Sequence, residues 1–246
     1  MTSHTILITG ASRGIGRACA LALARPDVKL IIHYHLRAAA AEETADLCRK
    51  KGAEAFVLQA DIASSSEVNR LFLQAEQHFS PVDIVVNNVG VAVYGQLQDI
   101  SDDEWQRVFA TNVNGMFYCT RRALPGMISR KWGRIINVSS MWGQVGASCE
   151  VLYSATKGAV DAFTKAAAKE LVYSGITVNA VSPGVVDTDM FSALGEDTAQ
   201  DVVSDIPLGR TLRPQEIALW VRHFAAEEAE AVTGQILGIN GGMEIH

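Results

Sequence analysis

Seven short apolar runs rich in β-branched residues recur along the chain, at 5–9, 29–34, 55–58, 83–87, 134–138, 177–181 and 235–239. Most are continuously apolar rather than alternating, the mark of strands buried on both faces. Helical segments separate them. The first spans 15–25 and stops at Pro26; the second spans 38–51 and closes on Gly52. A third runs from the Ser64-Ser65-Ser66 cluster to residue 79. A fourth opens at Ser101, where Glu104 stands at capping-box spacing ahead of Trp105. An alanine-rich stretch, 153–174, reads as a long helix, and Pro214 starts another. This alternation predicts right-handed βαβ units in one α/β domain over 1–246: a doubly wound parallel sheet of about seven strands with helices on both faces.

A chain of 246 residues, 48% apolar, buries such a core without staples. Its four cysteines, Cys19, Cys48, Cys119 and Cys149, form no CxxC pair, so they read as reduced thiols rather than a redox or zinc motif. A net charge of −6 argues against a broad nucleic-acid footprint. The apolar runs are too short to cross a membrane. Residues 1–4 leave no room for a targeting peptide, so a cytoplasmic protein is expected.

The first strand ends in Thr9-Gly10-Ala11-Ser12-Arg13-Gly14-Ile15-Gly16, and a helix follows at once. Glycines there let the backbone turn tightly and approach a pyrophosphate, which the helix N-terminus favours. The GxxxGxG spacing is ambiguous alone; its place between strand and helix points to a dinucleotide. In such folds a carboxylate about 20 residues on holds the ribose 2′-hydroxyl. None occurs between Lys29 and Ala41, while Arg13 and Arg37 offer charge-assisted bonds to a 2′-phosphate. NADP(H) is therefore favoured over NAD(H). His33 and His35 share a strand face, but no third ligand stands at suitable spacing, so no metal site is expected.

Tyr153 and Lys157 stand four apart on a helix, hence on one face. A fixed ammonium beside a phenol stabilises phenolate and lowers its pKa, which suits proton transfer near neutrality. Ser139-Ser140 close the 134–138 strand at the carboxyl end, where open α/β sheets bind ligands and a hydroxyl can polarise a carbonyl. Asn112 is an unfavourable residue inside a helical segment and marks a kink, a water site or a tolerated polar position.

These motifs, in this order and spacing, resemble the short-chain dehydrogenase/reductases over essentially the whole chain. The resemblance rests on Thr9–Gly16, Asp61, Asn87-Asn88-Val89-Gly90, Asn112, Ser140 with Tyr153 13 positions on, Lys157, Pro183-Gly184 and Thr188. It implies a Rossmann-type fold and four catalytic roles. Tyr153 would be the general acid or base, and Lys157 would tune it and hold the nicotinamide ribose. Ser140 would bind the substrate oxygen, and Asn112 would seat a relay water. Asp61, with Ile62, would contact adenine. Tyr34 and His35 would flank the adenosine, Asn88, Val89 and Gly90 would line its path, and Pro183, Gly184, Val186 and Thr188 would hold the carboxamide side. Val89 departs from the usual alanine and adds bulk near the cofactor. Residues 188–210 would close over substrate as a lid.

The sequence is most similar to the 3-oxoacyl-acyl-carrier-protein reductase branch, through 174–190 and the Gly234–Met243 ending. The resemblance implies reduction of a small-molecule carbonyl, with a 3-oxoacyl thioester the favoured substrate. The alternatives are a dehydrogenase or reductase of a sugar, steroid or small ketone or alcohol, or an NADP(H)-sensing protein without chemistry. Met141, Trp142, Cys149 and Glu150 are candidate substrate contacts. Arg121, Arg122, Arg130 and Lys131 would be a basic patch for a carrier protein, or ordinary solvated charges. Ser174 stands where carrier-docking members often have a basic residue. The family also implies a homotetramer, through the fourth helical segment, 153–174 and the last strand, with Ala155, Ala159, Ala162 and Ala166 allowing close helix packing.

Overall fold

The computed structural model describes residues 4–192 and 202–245. Seven parallel strands form one sheet in the order β3-β2-β1-β4-β5-β6-β7. They are β1 (His4–Ile8), β2 (Val28–Tyr34), β3 (Glu54–Gln59), β4 (Ile84–Asn87), β5 (Gly133–Val138), β6 (Ile176–Pro183) and β7 (Ile236–Ile239). The central strands β1, β4, β5 and β6 are buried at every position, polar Arg134, Asn137 and Asn179 included, and are otherwise mostly apolar. The sheet order reverses between β1 and β4, so the carboxyl ends of these two strands flank the crevice in which such sheets bind ligands.

Helices α1 (Gly14–Leu23) and α2 (Ala38–Lys50) join the first three strands, and α3 (Ser65–His78) leads to β4. The helix Pro214–Phe224 packs closely against α1. Two apolar clusters, one containing Ile6, Ile8 and Val86, the other Leu7, Val85 and Ile135, cover opposite faces of the sheet. Consecutive strand residues feed opposite clusters because side chains alternate across a strand.

The fourth helical segment is two helices. The Ser101–Glu104 capping box starts α4 (Asp102–Phe109), a π-helical turn spans Ala110–Asn114, and α5 (Gly115–Arg130) follows. The wide turn carries Asn112, the unfavourable polar residue of that segment. Such turns recur at functional sites. A one-turn helix, α6 (Trp142–Val145), precedes α7 (Val151–Leu171) and was not legible in the sequence. Of the expected lid, 193–201 lies outside the described residues.

Candidate active site

The glycine loop leaves β1 with Gly10 at φ 66° and Gly14 at φ 54°, conformations that favour glycine. Gly16 stands in the first turn of α1, where a Cβ would lie 2.2 Å from the Gly10 carbonyl oxygen. The loop is fastened from two sides. Asn88 Nδ2 donates to the carbonyls of Thr9 (2.9 Å) and Gly10 (3.2 Å), and Thr9 Oγ1 accepts the amides of Asn88 and Val89. On the other side, the Gly10 amide donates to His33 Nδ1 at 3.0 Å. His33 Nε2 therefore carries the proton, which it gives to the Ala60 carbonyl at 3.0 Å. Sequence reasoning weighed His33 only as a metal ligand. Its function in the fold is to brace the glycine loop, and among the described residues no cluster of three His, Cys, Asp or Glu could hold a metal.

Burial lowers the His33 pKa to about 4, against a weaker opposing bond to Ala60. The folded protein thus resists a proton that the unfolded chain accepts near pH 6.5, so stability rises with pH between these values. The advantage is complete above pH ~6.5 and is lost as pH falls through about 4, with a size on the order of 3 kcal/mol. Urea melts from pH 7 to pH 4 should show this slope, and His33→Asn should flatten it. An unchanged slope in the variant would remove His33 from the account.

The reactive side chains converge at the ends of β5 and β4. Tyr153 and Lys157 lie on successive turns of α7, with the ammonium 5.5 Å from the phenol ring centroid. Lys157 is buried and donates to the Val138 carbonyl at 2.8 Å; Gly90 lies against it, close enough that a Cβ would sit 3.2 Å from Nζ. Burial lowers the Lys157 pKa to about 8, and the charge of Asp161 opposes that shift. Asp161, one turn further along α7 and 6% exposed, was missed in the sequence, although Tyr153, Lys157 and Asp161 repeat at four-residue intervals. Burial raises its own pKa as well.

The expected lowering of the Tyr153 pKa is corrected. Burial pushes the phenol above its ordinary range, the nearby Glu150 charge adds to this, and the Ser140 hydroxyl bond pulls the other way. The first physical reason is burial; beside it, the Lys157 ammonium bonds the Val138 carbonyl and lies 5.5 Å from the ring centroid. The phenol is a well-protonated donor.

Ser140 Oγ accepts the Trp142 amide at 3.2 Å and reaches Tyr153, while Ser139 turns away and donates to the Lys157 carbonyl. Asn112 is 2% exposed, and its amide is committed: Oδ1 accepts the Val91 amide at 2.8 Å, and Nδ2 donates to Val91 O and Thr156 Oγ1. A cavity of about 10 Å³ lies beneath, lined by Thr9, Ile62, Asn87, Asn112 and Lys157 among others, with room for one water.

The remaining candidates fall in four places. Ser12 is buried at the loop, Ile15 is partly buried, Tyr34 ends β2, and exposed His35 follows it. Asp61 Oδ1 accepts the Ala63 amide and shapes the turn after β3. Gly184, after the terminal Pro183 of β6, packs against Asn240; Val186 bridges to Leu212; and the Thr188 methyl faces Gly14. Arg13 and Arg37 both bond the carboxylate of Asp189, the latter at 3.2 Å. Of the substrate candidates, Met141 is buried, whereas Trp142 and Cys149 are half-exposed. Glu150 is half-buried at the start of α7, and burial raises its carboxyl pKa. In the basic patch, Arg122 forks onto Glu76 at 2.6 and 2.9 Å and Arg130 pairs with Asp83 at 3.0 Å.

A family model described as short chain dehydrogenase matches residues 4–199. An uncharacterized oxidoreductase, YmfI, of Bacillus subtilis is 43% identical over 241 residues, covering 98% of each chain. A 3-oxoacyl-[acyl-carrier-protein] reductase of Synechocystis is 40% identical over 99% of this chain and 98% of its own. The 3-oxoacyl-[acyl-carrier-protein] reductase FabG of Staphylococcus aureus is 39% identical over 98% of each.

Proposed function

The chain belongs to the short chain dehydrogenase family, and on that premise we propose that it is an NADPH-dependent reductase converting a carbonyl to a secondary alcohol, with a 3-oxoacyl thioester as substrate. The observation that carries the reading is the convergence of Ser140, Tyr153 and Lys157 beside Gly90 at the carboxyl ends of the strands. The loop fits a dinucleotide. Gly10 and Gly14 occupy conformations that side chains disfavour, Gly16 brings backbone against backbone, and two arginines already share an anion.

In this reading Gly10, Ser12, Gly14, Ile15 and Gly16 hold the pyrophosphate side, and Arg13 and Arg37 the 2′-phosphate. Tyr34, His35, Asp61, Ile62, Asn88, Val89 and Gly90 flank the adenosine and ribose. Pro183, Gly184, Val186 and Thr188 hold the nicotinamide end. The cofactor supplies a hydride to the carbonyl carbon when bound. Ser140 binds the carbonyl oxygen, and Tyr153 gives its phenolic proton to that oxygen as charge develops there. Lys157 binds the ribose and keeps a positive charge beside the phenol, with Asp161 sustaining that charge. Asn112 holds the backbone of Val91 and flanks a water-sized space through which a proton can be resupplied.

Relatives named as 3-oxoacyl-acyl-carrier-protein reductases favour the thioester. The paired state of Arg122 and Arg130 leaves Arg121 and Lys131 as the weaker remnant of a carrier-docking patch. Recognition therefore centres on the 3-oxoacyl group. We place the enzyme in the cytoplasm as a homotetramer, with no nucleic-acid partner. Support comes from Trp105, Phe117 and Val151, which stay exposed on α4, α5 and α7, and from the absence, among the described residues, of a helix long and apolar enough to cross a membrane.

The test is NADPH oxidation with acetoacetyl thioesters, free and carrier-linked, beside NADH and a panel of sugars and simple ketones. Fast thioester turnover with NADPH is expected. Turnover confined to other carbonyls would keep the mechanism and discard the substrate. Cofactor binding with no turnover of any carbonyl or alcohol would replace the enzyme by a sensor.

A further inference from the structure

The two arginines assigned to the 2′-phosphate are not bare. Arg13 Nη1 and Arg37 Nη1 both donate to one atom, Asp189 Oδ2, the second at 3.2 Å. Arg13 belongs to the glycine loop and Arg37 precedes α2, whereas Asp189 comes from the far side of the chain, just after Thr188. Among the described residues, no other carboxylate lies within ion-pair distance of either guanidinium; the neighbouring Arg17 takes Glu43 instead, at 2.7 Å. Arg13 foremost, then Arg37, holds the Asp189 carboxyl below the ordinary carboxylate range, so it carries its charge at neutral pH.

An anion held between two guanidinium groups is the geometry a phosphate monoester also seeks. Each guanidinium keeps further N–H donors, but the Asp189 carboxylate bridges the two groups, and its negative charge opposes a second anion in the same place. We propose that Asp189 is an internal counter-anion in the seat of the cofactor's 2′-phosphate: a phosphorylated dinucleotide displaces it, and a dinucleotide with a 2′-hydroxyl does not. Asp189 is then a specificity-determining residue that lowers the affinity for NADP(H) by competition and leaves NAD(H) untouched. This rests on the NADP(H) reading above.

Affinities of wild type, Asp189→Asn and Arg13→Ala for NADPH, NADH and adenosine 2′,5′-bisphosphate, measured by fluorescence titration without substrate, test it. Two exposed ion pairs are at stake, so Asp189→Asn should tighten NADPH and the bisphosphate by roughly three- to tenfold. NADH should move less than about twofold, because neither exposed pair is broken when it binds. Unchanged or weaker NADPH binding in Asp189→Asn overturns the proposal, and an equal change for NADPH and NADH does so too, since it makes Asp189 a general support of the loop. Arg13→Ala separates the two layers. If it weakens NADPH selectively while Asp189→Asn does nothing, the cofactor reading stands and the competition fails. A wild type with no preference for NADPH, unaltered by Arg13→Ala, overturns the cofactor reading and this proposal together.

Discussion

Tyr153→Phe is expected to lower carbonyl reduction by roughly 10²–10⁴-fold, the range a positioned proton donor supplies, while NADPH affinity stays within about twofold, as expected when only transition-state stabilisation is lost. The substitution removes one oxygen and keeps the ring, so the packing of α7 is preserved. Lys157 does not depend on that oxygen: its ammonium is held by the Val138 carbonyl at 2.8 Å and flanks the ring, which phenylalanine retains. Ser140 keeps its bond from the Trp142 amide. What disappears is the only phenolic proton of the Ser140–Tyr153–Lys157 group. Because burial and the Glu150 charge hold that phenol above its ordinary range, it is protonated throughout the neutral region and ready to quench a developing alkoxide. Steady-state kinetics paired with an NADPH titration separate the two quantities. Turnover retained within tenfold would move the proton donor elsewhere, with Lys157, whose pKa is about 8, the next group to examine.

The architecture was legible because its signal is redundant. All seven strands fall within two residues of the runs that predicted them, since the central strands, buried on both faces, are mostly apolar and β-branched. The start of α4 was legible for a different reason: Ser101 and Glu104 satisfy each other's backbone amides, a local bond that spacing alone reveals. Asn112 was visible as an anomaly, though its meaning was not. Spacing cannot show that its amide fastens Val91 across a π turn. The harder cases are long-range. His33 looked like half of a metal pair because its neighbour His35 is close in sequence, while its actual partners, Gly10 and Ala60, come from two other strand ends. The bonds from the Asn88 side chain to the carbonyls of Thr9 and Gly10 are a brace of the loop that spacing does not reveal. The sign of the Tyr153 shift depended on desolvation and on where the Lys157 ammonium points, and neither follows from the YxxxK spacing.

The other large effect concerns the loop rather than the chemistry. Gly16→Ala is expected to weaken NADPH binding by roughly 100-fold, because restoring the wild-type loop on binding would cost the roughly 3 kcal/mol of overpacking that the free protein relieves. The new Cβ would stand 2.2 Å from the Gly10 oxygen, 2.9 Å from its carbonyl carbon and 2.6 Å from Asn88 Nδ2. Two of these atoms are backbone and the third is pinned by its bonds to Thr9 and Gly10, so none can yield as a flexible side chain would. The strain must be relieved by moving α1 away from the end of β1, which would draw the helix N-terminus off the pyrophosphate proposed to bind there. Overpacking of this kind costs roughly 3 kcal/mol. In a chain of this size that lowers Tm by about 5–10 °C, so the protein should still fold at 25 °C. Gly95→Ala is the matched control, because nothing lies within 4 Å of its Cβ position and its φ is not positive; it should leave both Tm and NADPH affinity unchanged. Titration at 25 °C and a thermal melt read the two quantities on the same samples. A Gly16→Ala protein that binds NADPH normally would show that the loop tolerates a shifted α1. The close approach of helix and strand would then be a packing feature of the fold, separate from recognition of the cofactor.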